Sequence, residues 1–562
     1  MKRFYLSIFF VLLLVSCGKD TGIDPDGGGV KPEGEVTVRG IIYDNGGNVM
    51  PNVVVSDGLN CVKTKSDGRF ELASDLTKAK FVFVVQPSGY RSAVEKGRAQ
   101  YYKRLGEGDA QQINGVYQLR FTLEKIAGDA DRFTMVMSGD PQPRARTAGY
   151  DKIGYHSLDC SADMWRDMKE YAATVTDRPV YGVVLGDLVH ENMSLYKDYL
   201  DGIASLDYAT YSVIGNHDND TNAADDDSGA AYFEQNLGPR NYSFNVGRFH
   251  VIVLDNLIMK LDGSKKLKEY DQGLTDDIWT WLQNDLRFVD RSTPLIVCSH
   301  SPMFRLASGS DRYASSGTKH GADYANLLSK YKKVYAWAGH VHNSFNFVYD
   351  DTAEYPNIEV HTVSRSTGAL WINEWLCEDG TPRGYVVVDI DGENVEWKFK
   401  PVAYQSSTAA GATPSYKYRD FVFTDGVAYR NGKRLDSSYQ LRAYPRGAYG
   451  DKYVYANVFM YDEKWGQVKF TSESGGTTVM TKVPKASAAE IKNGTAKSYD
   501  AAYKEVFDFY KTNNSTLNGN SGFSMSYELP HLFRCYAASE SDRGTVTVTD
   551  RFGNEYSTTV SW

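Results

Sequence analysis

From Glu35 to about Lys125, apolar and polar residues alternate in short runs, VTVRGIIYD, MPNVVVSDG and RFEL, broken at Gly46-Gly47 and at Ser66-Asp67-Gly68. Period-two alternation between glycine-bearing turns predicts strands and a β-sandwich, and no long helical period interrupts it. The pattern changes at Asp131. Up to about Lys400, near-continuous apolar runs (FTMVMSGD, VYGVVLGD, YSVIGN, FHVIVLD, PLIVCSH, VYAWAGH, IEVHTV and GYVVVDI) alternate with amphipathic stretches. Runs of that kind are strands covered on both faces. Met164, Met168, Tyr171 and Val175 recur at helical spacing and predict a helix over 162–175. Thr275, with Asp276 and Asp277 behind it, predicts the cap of a second helix that buries Ile278, Trp281 or Leu282, and Leu286. Residues 401–416 read as a linker, and 417–562 return to strands with one helix over 501–510 that Asp500 is placed to cap. The expected fold is multidomain: an α/β sandwich over 131–400, flanked by a β-sandwich over 35–125 and a mainly-β domain over 417–562.

A length of 562 residues fits several domains rather than one core. A formal net charge of -9 argues against general nucleic-acid binding, which needs a cationic footprint. The 40 tyrosines suit half-buried strands first, and glycan contact by the β domains second. Near the start, Lys2 and Arg3 precede an apolar run from Phe4 to Val15 that falls short of the roughly 20 residues of a membrane span. It reads as a processing segment. With Leu14-Val15-Ser16-Cys17 behind it, the segment resembles a bacterial lipoprotein lipobox. That resemblance implies a signal peptide over 1–16, lipidation of Cys17, a flexible tether over 17–34, and a place at the bacterial cell envelope, outer membrane or periplasm-facing. Membrane contact would run through the anchor alone. The other cysteines, Cys61, Cys160, Cys298, Cys377 and Cys535, are odd in number and never spaced C-x-x-C, which removes support for a disulfide framework or thiolate metal sites. The Asp67-Gly68-Arg69-Phe70 turn resembles those of carboxypeptidase-regulatory or transthyretin-like sandwiches, which implies a spacer or docking module without chemistry.

In the middle region, strand after strand ends in a residue able to bind a hard or borderline metal: Gly139-Asp140-Pro141-Gln142, Gly186-Asp187, Gly215-Asn216-His217-Asp218, Ser299-His300 and Gly339-His340-Val341-His342. Strand ends on one edge of a sheet converge, and α/β folds place their sites there. A lone Gly-Asp is usually a turn and a lone buried histidine a core residue. A series of five such endings is different.

The order GD, GD, GNHD, H, GHxH is similar to the calcineurin-like metallophosphoesterase superfamily, over about 131–400. The resemblance implies a four-layer α/β sandwich and a metal-dependent phosphoester hydrolase, read here as a phosphodiesterase, with two divalent ions and a hydroxide bridging them. Asp187 would bridge the ions. Asp140, Gln142 and His342 would complete one site, and Asn216, His300 and His340 the other. His217 would assist the leaving group as a non-ligand, with Asp218 fixing its tautomer. The family commonly has Asp-x-His where this chain has Asp140-Pro141-Gln142. An oxygen donor in place of nitrogen favours Mn, Fe or Mg over Zn there, without shutting zinc out. Arg144, His190 and Glu191 are candidates for the pocket mouth, and Arg365 and Trp371 for substrate phosphate and an apolar or sugar group. His156, His250, His320, His361 and His531 match no ligand position of the family and read as structural or surface residues. Two other readings stand beside this one: a phosphomonoesterase of protein phosphatase or nucleotidase type, and a lipid-anchored glycan-binding protein with a silent phosphoesterase fold.

Overall fold

Two sheets packed face to face carry the middle of the chain in the computed structural model, which describes residues 34–145, 156–302, 305–306, 313–314, 318–348, 355–369, 375–404, 422–424, 427–430, 432–513, 525–538 and 543–560. The first sheet runs Asn394–Pro401, Gly384–Asp391, Arg132–Ser138, Val180–Val184, Thr210–Ser212, Arg98–Ala99 and Val94–Glu95. The second runs Tyr242–Val246, Phe249–Leu254, Leu295–Ser299, Val334–Ala338, Ile358–Thr362 and Asn346–Val348. The ligand-bearing strands are parallel to one another within each sheet, so their C-terminal ends share an edge.

Strand alternation builds the layers. Phe133, Met135, Met137 and Val183 point into the core shared with Val251, Val253, Ile296 and Trp337. Val136 and Val184 point the other way, onto Met164, Trp165 and Met168 of the helix Ser157–Thr174 and onto the helix Tyr196–Ala204. The two helices meet at Gly202, where a Cβ would stand 2.2 Å from Trp165 Nε1. The first helix starts earlier than the apolar period predicts, because the His156 ring accepts the Leu158 N–H at 3.1 Å and caps it. Thr275 caps Asp276–Leu286 through Ile278 N, and Trp281, Leu282 and Leu286 are buried. Asp500 accepts from Tyr503 N at 2.9 Å at the head of Ala501–Asn513, a longer helix than its apolar period suggests.

The N-terminal region forms two small sheets around Val38, Ile42, Phe70, Val84 and Leu119. It does more than space the chain. Val94–Glu95 and Arg98–Ala99 extend the first central sheet, with Arg98 paired to Thr210. Gly97 makes this docking close, since a Cβ there would lie 1.9 Å from Ile203 O. The C-terminal region stacks two further sheets, and several of its tyrosines pack inside: Tyr444, Tyr449, Tyr455 and Tyr503 are buried, with the Tyr449 and Tyr455 rings stacked at 3.8 Å.

Candidate metal centre and active site

The glycines that precede the ligands make room for one another's partners. A Cβ on Gly186 would lie 2.4 Å from His300 Nδ1, one on Gly215 2.3 Å from Asp187 Oδ1, and one on Gly339 2.4 Å from Asp140 Oδ2. The ligand loops are strained as well. Of the twelve non-glycine residues with positive φ among those described, six are here: Asp140, Gln142, Asp187, Glu191, His340 and His342. Left-handed backbone at such residues costs about 1–3 kcal/mol each and collects at functional sites.

Hydrogen bonds fix which atoms face inward. His300 Nδ1 donates to Leu185 O at 2.7 Å, which leaves Nε2 pointing at Asp187 Oδ1, 3.2 Å away, and at Asp140 Oδ1, 4.0 Å away. His340 turns Nε2 to the Tyr270 hydroxyl at 3.1 Å and brings Nδ1 within 3.2 Å of His300 Nε2. Two imidazole nitrogens so close, each with its sister nitrogen engaged elsewhere, present lone pairs to a shared cation. His342 Nε2 lies 3.5 Å from Asp140 Oδ1, and donor atoms of Asp140, Asp187 and His342 all fall within 4.8 Å of one another. Asn216 Oδ1 is shielded from solvent and has no hydrogen-bond partner among the described residues. An orphaned carbonyl oxygen beside this cluster is what a metal ligand looks like without its ion.

The charges fit a cation too. Burial pushes the Asp140 carboxyl up to about 7 against the pull of His300. Burial also opposes the charged form of Asp187, yet His300 and His217 outweigh it and hold that carboxyl far below its usual range. Burial disfavours the His300 cation, but Asp187 and Asp140 raise it to about 10. Burial, then Arg365, keeps His342 neutral, well below the ordinary histidine range.

His217 stands at the flank. Its Nδ1 lies 3.3 Å from Glu191 Oε1, and its ring centre 4.3 Å from that of His190. Asp218 does not reach it: Oδ2 accepts from Gly215 N at 2.7 Å and Oδ1 from Val189 N at 3.1 Å. Asp218 therefore pins the two ligand loops together, and Glu191 holds the place beside His217 that the family pattern suggested for Asp218. The Glu191 carboxyl is pulled down to about 2, first by the His217 hydrogen bond. His190 is pushed down to about 3 by burial and then by His217, and its Nδ1 meets Gln142 Nε2 at 3.3 Å.

Three family models cover most of the chain. Residues 139–344 match the calcineurin-like phosphoesterase domain, 36–125 the N-terminal region of calcineurin-like phosphoesterases, and 365–556 their C-terminal region. The chain belongs to the calcineurin-like phosphoesterases. Members of this family use a dinuclear divalent metal centre, and the chain is a hydrolase acting on phosphoesters. A probable glycerophosphodiester phosphodiesterase, GpdQ, of Arcobacter nitrofigilis is 27% identical over 195 residues, 34% of this chain. The match spans 66% of that protein's length. Among solved structures, PhoD is 9% identical over 83% of this chain and 93% of its own, with a TM-score of 0.34. A 5'-nucleotidase from Candida albicans is 11% identical over 48% of this chain and 51% of its own, with a TM-score of 0.28.

Two residues of this calcineurin-like phosphoesterase carry no sequence signal yet touch the site. Lys268 Nζ lies 2.6 Å from Glu191 Oε2, and Tyr270 meets His340 as described. Both sit in the strand Leu267–Gln272, whose KEYDQ run matches no motif. Arg365 is not poised for substrate. Only 1% exposed, it donates to the carbonyls of Asp140 (3.2 Å), Gln142 (2.8 Å) and Gly368 (3.0 Å), bracing the strained first ligand loop. Gln142 is buried, and its own N–H donates to Asp187 O at 2.8 Å, tying the first two ligand loops. Arg144 follows that loop, with its backbone N–H on Ser157 Oγ at 2.9 Å. Trp371 and Cys17 lie outside the described residues.

Proposed function

We propose that this enzyme hydrolyses phosphodiesters. The observation that carries the reading is the juxtaposition of a buried carboxylate and imidazole cluster with the flanking His217–Glu191 pair. Asp187 would be shared by two cations, with Asp140, Gln142 and His342 holding one, and Asn216, His300 and His340 the other. When bound, divalent ions would supply a nucleophile of lowered pKa and neutralise phosphoryl oxygens. The chain's own residues do the rest. His217 gives a proton to the departing oxygen, and Glu191 orients the ring from Nδ1. Asp218 and Arg365 lock the loops on which the ligands sit.

A diester is favoured over a monoester on two grounds. The curated relative above carries a phosphodiesterase name. Dianionic phosphoryl groups are commonly gripped by arginine forks, and Arg365 spends its guanidinium on backbone carbonyls while Lys268 spends its charge on Glu191. Manganese, iron or magnesium suits the Asp140/Gln142 position better than zinc. The residue pattern at 2–17 supports attachment to the cell envelope through Cys17. Among the described residues, no helix is long and apolar enough to cross a membrane.

Metal-loaded protein should turn over bis(p-nitrophenyl) phosphate at least about tenfold faster than p-nitrophenyl phosphate, and His217→Ala should lose turnover of glycerophosphocholine, whose alkoxide leaving group needs a proton, while keeping its metals. Faster monoester hydrolysis would overturn the diester assignment, and unchanged turnover in His217→Ala the role of that histidine.

A further inference from the structure

Lys268 and Tyr270 stand two positions apart on one strand, so they share a face. They reach different halves of the site: Lys268 the Glu191–His217 side at 2.6 Å, Tyr270 the His340 side at 3.1 Å. The strand is one arm of an antiparallel hairpin with Leu257–Leu261. That hairpin is bolted to the chain just beyond Asp218. Leu267 N donates to Thr221 O at 3.0 Å, Lys266 Nζ to Asn222 Oδ1 at 2.7 Å, and Met259 N to Asp226 Oδ1 at 2.7 Å. Leu267 packs where Gly229 has no side chain, since a Cβ there would fall 2.4 Å from Leu267 Cδ2. Glu191 in turn grips His217 twice: its N–H donates to His217 O at 2.9 Å, and its carboxylate faces His217 Nδ1.

We propose that the hairpin strand Leu267–Gln272 is the positioning element for leaving-group protonation, acting through Lys268 on Glu191 and through Glu191 on His217. The proposal rests on the reading of His217 given above. With Nδ1–H held by Glu191, Nε2 is turned to the cleft. There its proton passes to the leaving oxygen as the phosphorus–oxygen bond to that oxygen breaks and the bond to the attacking water oxygen forms. Lys268 keeps the Glu191 carboxylate from rotating away. Lys268 and Glu191 are positioning residues, since neither needs to touch substrate. Tyr270, on the same face, holds the Nε2 side of His340 and so belongs to metal retention.

The test uses the full-length, metal-loaded protein and leaving groups of graded basicity: methyl aryl phosphates from p-nitrophenol to phenol, with glycerophosphocholine as the dialkyl diester. A departing p-nitrophenolate scarcely needs a proton, whereas an alkoxide does. Glu191→Gln should lower kcat about 10- to 100-fold on glycerophosphocholine and less than about threefold on the nitrophenyl ester, with KM and metal content unchanged. Lys268→Met should show the same slope at a smaller amplitude, and Lys268→Arg should restore it. Tyr270→Phe should weaken metal retention and leave the slope flat. An equal loss on every leaving group in Glu191→Gln, or a flat response in both Lys268 variants, would overturn the proposal. His217→Ala, run alongside, separates the two failures: if it alone steepens the slope, His217 stands and the hairpin relay falls. If it does not, both fall.

Discussion

At the C-terminal strand ends, Asp140 and Asp187 are buried among imidazoles. At the head of Ile358–Thr362, the equally buried Glu359 is met by Arg551 on both oxygens, at 2.8 and 2.9 Å, and by Lys333 at 2.6 Å. The second cluster carries its own countercharge and ties the catalytic sheet to the C-terminal region, where Asp462 lies 3.5 Å from Arg551. The first carries an excess of acceptors on strained backbone. A buried charge that its neighbours satisfy is architecture, whereas acidic and imidazole groups left facing one another await a ligand. Both clusters should respond to mutation, but in different observables.

The widest separation is expected from Asp187→Asn. Halving the central charge should remove the metals and lower bis(p-nitrophenyl) phosphate turnover by more than about a thousandfold. Folding should survive, since the side chain is isosteric and its Oδ1 still accepts from His217 N. Metal analysis beside the turnover assay checks this, and full metal content with near-normal turnover would break the comparison.

Glu359→Gln should do the reverse. It leaves Arg551 and Lys333 partly unmatched in a buried place and should cost about 3–5 kcal/mol in denaturant unfolding, with metal content unchanged. The acid limb should change as well. Burial opposes ionisation of Glu359, but hydrogen bonds and the surrounding cations hold its carboxyl well below the ordinary 4.5. Its contribution is therefore present above about pH 4.5 and lost as pH falls toward the folded-state value. The fall in stability below that pH should be shallower in Glu359→Gln. An equally steep fall in both proteins would remove Glu359 from the account.

Arg365→Met sits between the clusters, since Arg365 is a buried cation serving the metal side. Without it the carbonyls of Asp140 and Gln142 lose their donors, and metal affinity should weaken about 10- to 100-fold, with KM for substrate unchanged at saturating metal. A raised KM at full metal occupancy would return Arg365 to the substrate.

The gathering of ligands was legible because five of the seven (Asp140, Asp187, Asn216, His300 and His340) lie at the end of an apolar run behind a glycine or a serine, and parallel strands bring such ends to one edge. The partner of His217 was not. Asp218 is its sequence neighbour, but the turn at Asn216–Asp218 aims that carboxylate at Gly215 N, while a left-handed φ of 51° at Glu191 brings a distant-looking side chain to the ring. Lys268 and Tyr270 were hidden for a related reason: nothing in a hairpin's alternation says which core it leans on. The joining of Val94–Ala99 to the central sheet was likewise unreadable, because two-residue strands carry no period. The first helix was misjudged at its start because histidine is an uncommon cap, with Ser, Thr, Asp and Asn far ahead.

The smallest effect expected is also the most informative about the first metal position. Gln142 is buried, braced through its backbone by Asp187 and by Arg365, and its side-chain amide touches His190. Replacing it by histidine exchanges a neutral oxygen donor for a neutral nitrogen, so the charge of the site is kept and only the hardness of the donor changes. Nitrogen ligands favour zinc over manganese. Gln142→His should raise the preference for zinc over manganese by about tenfold in competitive metal titration, a shift of about 1.4 kcal/mol. The leaving-group dependence should change by less than about threefold, because Gln142 reaches His217 only through the His190 ring. An unchanged preference would mean that Gln142 acts through His190 rather than on a metal, and the Asp140 site would then owe its selectivity to Asp140 and His342 alone.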